Sequence, residues 1–163
     1  MHPNNFELVA NNETVTPRQR YGGGMDDPFD LQRFVDAQDR MYDRAVAELR
    51  AGTKHSHWIW FIFPQLAELG SSSTARLYGI KSMAEAQAYL AHPVLGARLR
   101  ECAQLLAAIE GASIKEIFPW PDNLKVCSSM TLFAKATTDN ADFLGVLDKF
   151  YDGEQDPLTV ELL

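Results

Sequence analysis

The sequence predicts a mainly α-helical fold, a single multihelical domain with a short buried aromatic segment, on three observations. Apolar residues between Asp30 and Gly52 recur mostly at three- and four-residue steps, the pattern of one helix face. Helix-start signals are spread along the rest of the chain: Ser82 with Glu85, Ser113 with Glu116, and Asp156 before Pro157. Only the stretch Trp58-Ile59-Trp60-Phe61-Ile62-Phe63 has the composition of a buried strand. A sheet would have no second strand to pair with it, so it reads as a short helical segment ending before Pro64.

The chain has 163 residues, 46% hydrophobic and 10% aromatic, enough to bury one sizeable core. Residues 1–24 contain Asn4-Asn5, Asn11-Asn12 and Gly22-Gly23-Gly24 with little apolar periodicity, and read as a disordered N-terminal extension. Residues 25–163 read as the single helical domain. No apolar run reaches the roughly 18 residues of a membrane span and no signal pattern opens the chain. A cytoplasmic protein with no membrane partner is expected. Cys102 and Cys127 lack any CxxC spacing, which predicts reduced thiols and neither a disulfide nor a zinc site.

The first helix buries Leu31, Phe34, Val35, Met41, Tyr42, Ala45, Val46 and Leu49 and ends at Gly52. Its charged residues, Arg33 and Glu48 among them, read as a solvated face, and Gln38 as a structural glutamine. After the aromatic segment, Gly70 to Thr74 is a loop and Ala75 to Tyr78 a helical turn, with serine as an ordinary cap. A helix from Ser82 through Leu90 is interrupted by His92-Pro93, and a longer one follows to Gly111. Ser113 and Glu116 box a short turn. Asp122 caps a helix through Phe133, Asp139 or Asn140 caps the next, and Asp156-Pro157 opens a last turn.

Function is harder to read. A net charge of −7 excludes a nucleic-acid groove, which needs a basic stripe to neutralise phosphates. Between Lys54 and Arg100, however, Lys54, Arg76, Lys81, Arg98 and Arg100 face only Glu68 and Glu85, a local +3. A positive region in an acidic chain suits a small anionic ligand. No GxSxG, HExxH, P-loop or GxGxxG motif occurs, so no cofactor and no common hydrolase or nucleotide signature is expected.

The aromatic segment has polar residues at both ends, which core packing alone does not require. His57 reads equally as a proton-transfer group or a surface histidine, with Lys54 three residues before it as a charge for a phosphate. One of Trp58 and Trp60 is expected to pack inside while the other offers a stacking face. The Gln65 amide is placed to read a ligand edge or to brace its own turn. Lys125, Ser128 and Ser129 share a helix face that forms an anion pocket if it meets the aromatics; otherwise the serines bond back to their own helix.

The residues Asp30-Leu31-Gln32-Arg33-Phe34-Val35, Ser56-His57-Trp58, Trp60-Phe61-Ile62-Phe63-Pro64-Gln65, Tyr78-Gly79-Ile80, His92-Pro93-Val94-Leu95-Gly96 and Ser128-Ser129-Met130-Thr131-Leu132-Phe133 resemble the bacterial domain of unknown function 1810 family. Some of its members carry a calpastatin label, though no repeated inhibitory segments occur here. The resemblance implies a mainly helical domain of uncharacterised activity. A looser similarity, through the aromatic segment with Lys125 and Met130, is to the NADAR superfamily, which acts on ADP-ribose derivatives. The expectation is therefore binding of a small anionic ligand, a nucleotide or ADP-ribose derivative, with hydrolysis the first activity to test. The ligand-binding residues would be Lys54, Trp58, Trp60, Gln65, Arg76, Lys125, Ser128 and Ser129, with His57 as the catalytic group. The alternative is a non-enzymatic module whose exposed aromatics receive a protein partner.

Overall fold

The computed structural model describes residues 26–163, together with the backbone of Phe6–Glu7 and Arg18–Gln19, which pair as a short antiparallel ribbon. The expectation of a disordered extension over residues 1–24 falls, apart from those four, outside the described residues.

Among the described residues nine α-helices follow one another. The first, α1 (Gln32–Ala51), is the longest. Its start is capped from upstream, because the Asp27 carboxylate accepts from the backbone N–H groups of Leu31 (2.7 Å) and Gln32 (3.0 Å). Its end is set by Gly52, whose φ of 84° lets its N–H turn back to Glu48 and Leu49. Then come α2 (Ile59–Ile62), a 3-10 turn (Ala67–Leu69), α3 (Ser73–Leu77) and α4 (Met83–Ala91). The chain continues through α5 (Leu95–Ala107), α6 (Ile114–Ile117), α7 (Asp122–Ala136), α8 (Ala141–Phe150) and α9 (Pro157–Leu162).

Serine caps punctuate this succession as expected. Ser72, Ser82 and Ser113 each accept from the N–H three residues on, and Ser113 with Glu116 completes a reciprocal box. At α4 the box is altered: the Glu85 carboxylate takes the N–H of Lys81 instead of that of Ser82. His92 stands in for a cap at α5, its Nδ1 accepting from Val94 (3.1 Å) and Leu95 (3.2 Å), and burial lowers its pKa. The expectation that Asp122 caps α7 is corrected. Asp122 is itself helical, and its carboxylate serves a distant lysine.

The core lies where α5 and α8 pack on one another and on α1, α4 and α7. A train of rings, Phe34, Tyr89, Phe133 and Phe143, runs through it with centroids 5.1–6.1 Å apart. One buried amide ties four elements together. Gln38 Nε2 donates to the Phe61 carbonyl (2.7 Å) and the Tyr89 hydroxyl (3.0 Å), while its Oε1 accepts from Arg98 (3.4 Å). Because a buried amide without partners costs about 1–3 kcal/mol, this network fixes how α1, α2, α4 and α5 sit together.

Candidate functional site

The site grows out of one carboxylate. Glu48 lies one helical turn before Gly52, so the chain leaving α1 folds back over it. Its Oε1 accepts from the N–H groups of His55 (2.8 Å) and Ser56 (3.0 Å) and from the indole of Trp58 (2.9 Å). Oε2 takes the Ser56 hydroxyl at 2.6 Å. Partial burial works to raise this carboxyl's pKa, but the bonds from Ser56, His55 and Trp58 lower it further, to about 2. Glu48 is therefore the anchor of loop 53–58 and not a member of a solvated face.

Trp58 is fully buried, packed edge-on against Phe118 at 6.0 Å. The Lys54 ammonium sits 5.3 Å from the centroid of its ring and 2.7 Å from Asp122 Oδ2. The other oxygen of Asp122 lies 3.7 Å from Lys125. The Lys125 ammonium in turn rests 5.2 Å from the centroid of the half-buried Trp60 ring. Two lysines thus share one carboxylate, each over its own tryptophan.

Beneath Lys125 is a small cleft, walled by Trp60, Gln65, Tyr78 and Gly79 with Ile59 and Phe63 behind. Its volume of about 10 Å³ has room for one water. The backbone holds it narrow. Ala67 N–H donates to the Ile80 carbonyl (2.8 Å) and Ile80 N–H to that of Gln65 (2.9 Å), clamping segment 79–80 against segment 65–67.

Of the residues singled out from sequence, the structure gathers Lys54, Trp58, Trp60, Gln65 and Lys125 into this region. The others lie apart. Arg76 is exposed on the opposite side of α3, in a separate groove with Arg33 and Lys81. Ser128 is buried and donates to the Leu124 carbonyl (3.2 Å) and Asp156 (3.1 Å), a helix back-bond and a tie to α9. Ser129 is wholly buried and its hydroxyl has no partner. His57 is exposed. Trp58 is sealed, so its indole offers no stacking face.

Sequence reasoning did not find Glu48, Asp122, Arg33 or Tyr78. Arg33, read as a solvated residue, is 10% exposed, with its guanidinium on four backbone carbonyls, those of Phe29, Asp30, Leu77 and Gly79, and on Glu85. Such roles depend on chain segments meeting in space and leave no local pattern. Trp120 was also unremarked, yet it is 75% exposed beside Leu124 at 53%. Among the described residues no three His, Cys, Asp or Glu side chains group as a metal site, and no helix is long and apolar enough to cross a membrane.

Fold and site together define a single-domain helical protein with two lysines, bridged by a carboxylate, over a buried and a half-buried tryptophan. The model of the family described as protein of unknown function DUF1810 matches residues 28–163, and the chain belongs to that family. It is similar to the conserved hypothetical protein Rv1873 from Mycobacterium tuberculosis, known from a crystal structure. The two share 59% identity with a TM-score of 0.83, over 84% of this chain and 98% of that one. No curated protein matches.

Proposed function

We propose that the protein binds a small anionic ligand, a nucleotide or ADP-ribose derivative, at the face of Trp60, with Lys125 as the cation that meets its phosphate. The observation that carries this reading is the position of Lys125. Among the described residues its ammonium is held by a ring face 5.2 Å away and a 3.7 Å ion pair, while Lys54 takes the nearer contact with Asp122. Each of those holds is worth about 0.5–1 kcal/mol. A phosphate can draw the ammonium off the ring, and a flat base can take its place on the indole.

The cleft as it stands has room for no more than a water, so binding requires Lys125 to swing outward. Gln65, on the cleft wall, then supplies an amide to the ligand's edge. Lys54 and Trp58 belong to the supporting layer. Hydrolysis of a glycosidic or phosphate-linked bond is the first turnover to assay, with His57→Ala as the variant that probes proton transfer.

A thermal-shift series with ADP-ribose, AMP, ADP and sugar phosphates tests the reading. At least one should raise the melting temperature, and Lys125→Ala should weaken that ligand by about tenfold or more. No stabilisation by any of them, with Lys125→Ala equally silent, would end it. The reading as a protein-interaction module draws on a different observation, the exposed Trp120 in the loop before α7 and the exposed Leu124 in its first turn. It expects a partner lost in Trp120→Ala and kept in Lys125→Ala.

A further inference from the structure

A larger opening lies on the other side of α3, a groove of about 560 Å³ between the start of α1, the end of α3 and the start of α4. Its geometry is set by Arg33. Nε donates to the Leu77 carbonyl (2.7 Å), Nη1 to Phe29 (2.6 Å) and Asp30 (2.8 Å), and Nη2 to Gly79 (3.1 Å) and Glu85 (2.8 Å). Every donor of the guanidinium is in use, so Arg33 is scaffold and has nothing left for a ligand. It also neutralises Glu85, whose other oxygen takes the Lys81 N–H at 2.9 Å.

What remains on the walls is two exposed cations and an apolar surface. Neither the Arg76 nor the Lys81 side chain makes a hydrogen bond or ion pair among the described residues. Beside them are Pro28, Phe29 and Leu77, the last 55% exposed. With Arg33 and Glu85 cancelling, Asp30 is the one remaining carboxylate among the described lining residues, against the two cations. The groove stays positive in a chain of net charge −7. Small-molecule sites span roughly 300–1,000 Å³ and combine apolar lining with a few convergent polar groups, which this groove does.

We infer that the groove is a second binding site, for a small molecule carrying a phosphate or carboxylate on an apolar body. Arg76 and Lys81 meet the oxyanion, while Phe29 and Leu77 take the apolar part. Arg76 is suited to two-point contact with an oxyanion and Lys81 acts as a point charge. The site is independent of the Trp60 cleft: Ala75, Tyr78 and Gly79 line one side, Arg76 and Leu77 the other.

The test titrates the full chain, ¹⁵N-labelled, with 1-naphthyl phosphate, 1-naphthol and inorganic phosphate in turn, following backbone amide shifts. Naphthyl phosphate should move the amides of Phe29, Leu77 and Lys81 saturably, and each half-molecule should bind at least about tenfold more weakly. The double variant Arg76→Ala, Lys81→Ala should lose about tenfold or more in the affinity read at the Phe29 and Leu77 amides. Arg76→Gln with Lys81→Gln repeats the measurement should the alanine pair unfold. Shifts clustered at Trp60 and Lys125, an affinity unchanged in the double variants, or no saturable shift at all would each overturn the inference; the first of these would leave the Trp60 reading standing.

Discussion

The Lys54 ammonium lies 2.7 Å from Asp122 Oδ2, in a pair that spans 68 positions of sequence and fixes the loop before α2 to the first turn of α7. Both side chains are largely covered, 8% and 17% exposed. Removing Asp122 leaves the Lys54 charge poorly solvated and without its ion-pair partner. Asp122→Asn is expected to cost about 3 kcal/mol by urea unfolding. The double variant with Lys54→Met should recover part of that loss, giving a coupling of about 1–3 kcal/mol. Strict additivity would show that the pair contributes nothing.

Glu48 should give the protein an acid-sensitive component of stability. Its carboxyl is held at about 2 in the folded chain against an ordinary 4.5. A depressed carboxyl stabilises the fold above its unfolded pKa, and that contribution fades as pH falls from about 4.5 towards 2. At neutral pH Glu48→Gln should lose about 1–2 kcal/mol, allowing for the partial exposure of the group. The gap between wild type and variant should close over that acid window. A gap unchanged from pH 7 to pH 2 would contradict the anchoring role.

Gly79 is a point of close approach between the 3-10 turn and the end of α3. A Cβ there would lie 2.4 Å from the Ala67 Cα and 3.0 Å from the Ala75 carbonyl oxygen. Backbone cannot yield as a flexible side chain can, so Gly79→Ala should destabilise by about 2 kcal/mol or more and push α3 away from segment 65–67. Amide shifts at Gln65, Ala67 and Tyr78 would register the displacement. An alanine variant with wild-type stability would mean that the contact is looser than these distances indicate.

Neither cysteine is expected to be reactive in the native protein. Burial pushes the Cys102 thiol up to about 12 and the Cys127 thiol to about 11, with Asp156 adding to the latter. At pH 8 both should label with a thiol reagent at least about tenfold more slowly folded than in urea. Equal rates would place one of them at the surface.

The course of the helices was legible because their signals are local. Ser72, Ser82, Ser113 and Asp156 each accept an N–H three residues ahead, a pattern visible in four letters of sequence. The aromatic segment was also readable as a buried helix stopped by Pro64, since α2 spans Ile59–Ile62. What was not legible depended on distance along the chain. Asp122 reads as a cap until Lys54 arrives from 68 residues away, and Glu48 and Arg33 read as surface charges until loop and turn close over them. The two tryptophans differ for the same reason: Glu48 draws one indole inward, and nothing near Trp60 in sequence says that Lys125 will cover it.

One consequence of the graded burial of the tryptophans is optical. The chain has three indoles, and they occupy three depths: Trp58 wholly enclosed, Trp60 half-covered by an ammonium, Trp120 75% exposed. Their emission should separate by wavelength, with the blue component reporting the integrity of the interior and the red one the solvated loop before α7. Replacing Trp120 with Phe would strip away the red background, leaving a change at intermediate wavelength as an unlabelled signal of Lys125 lifting from its ring.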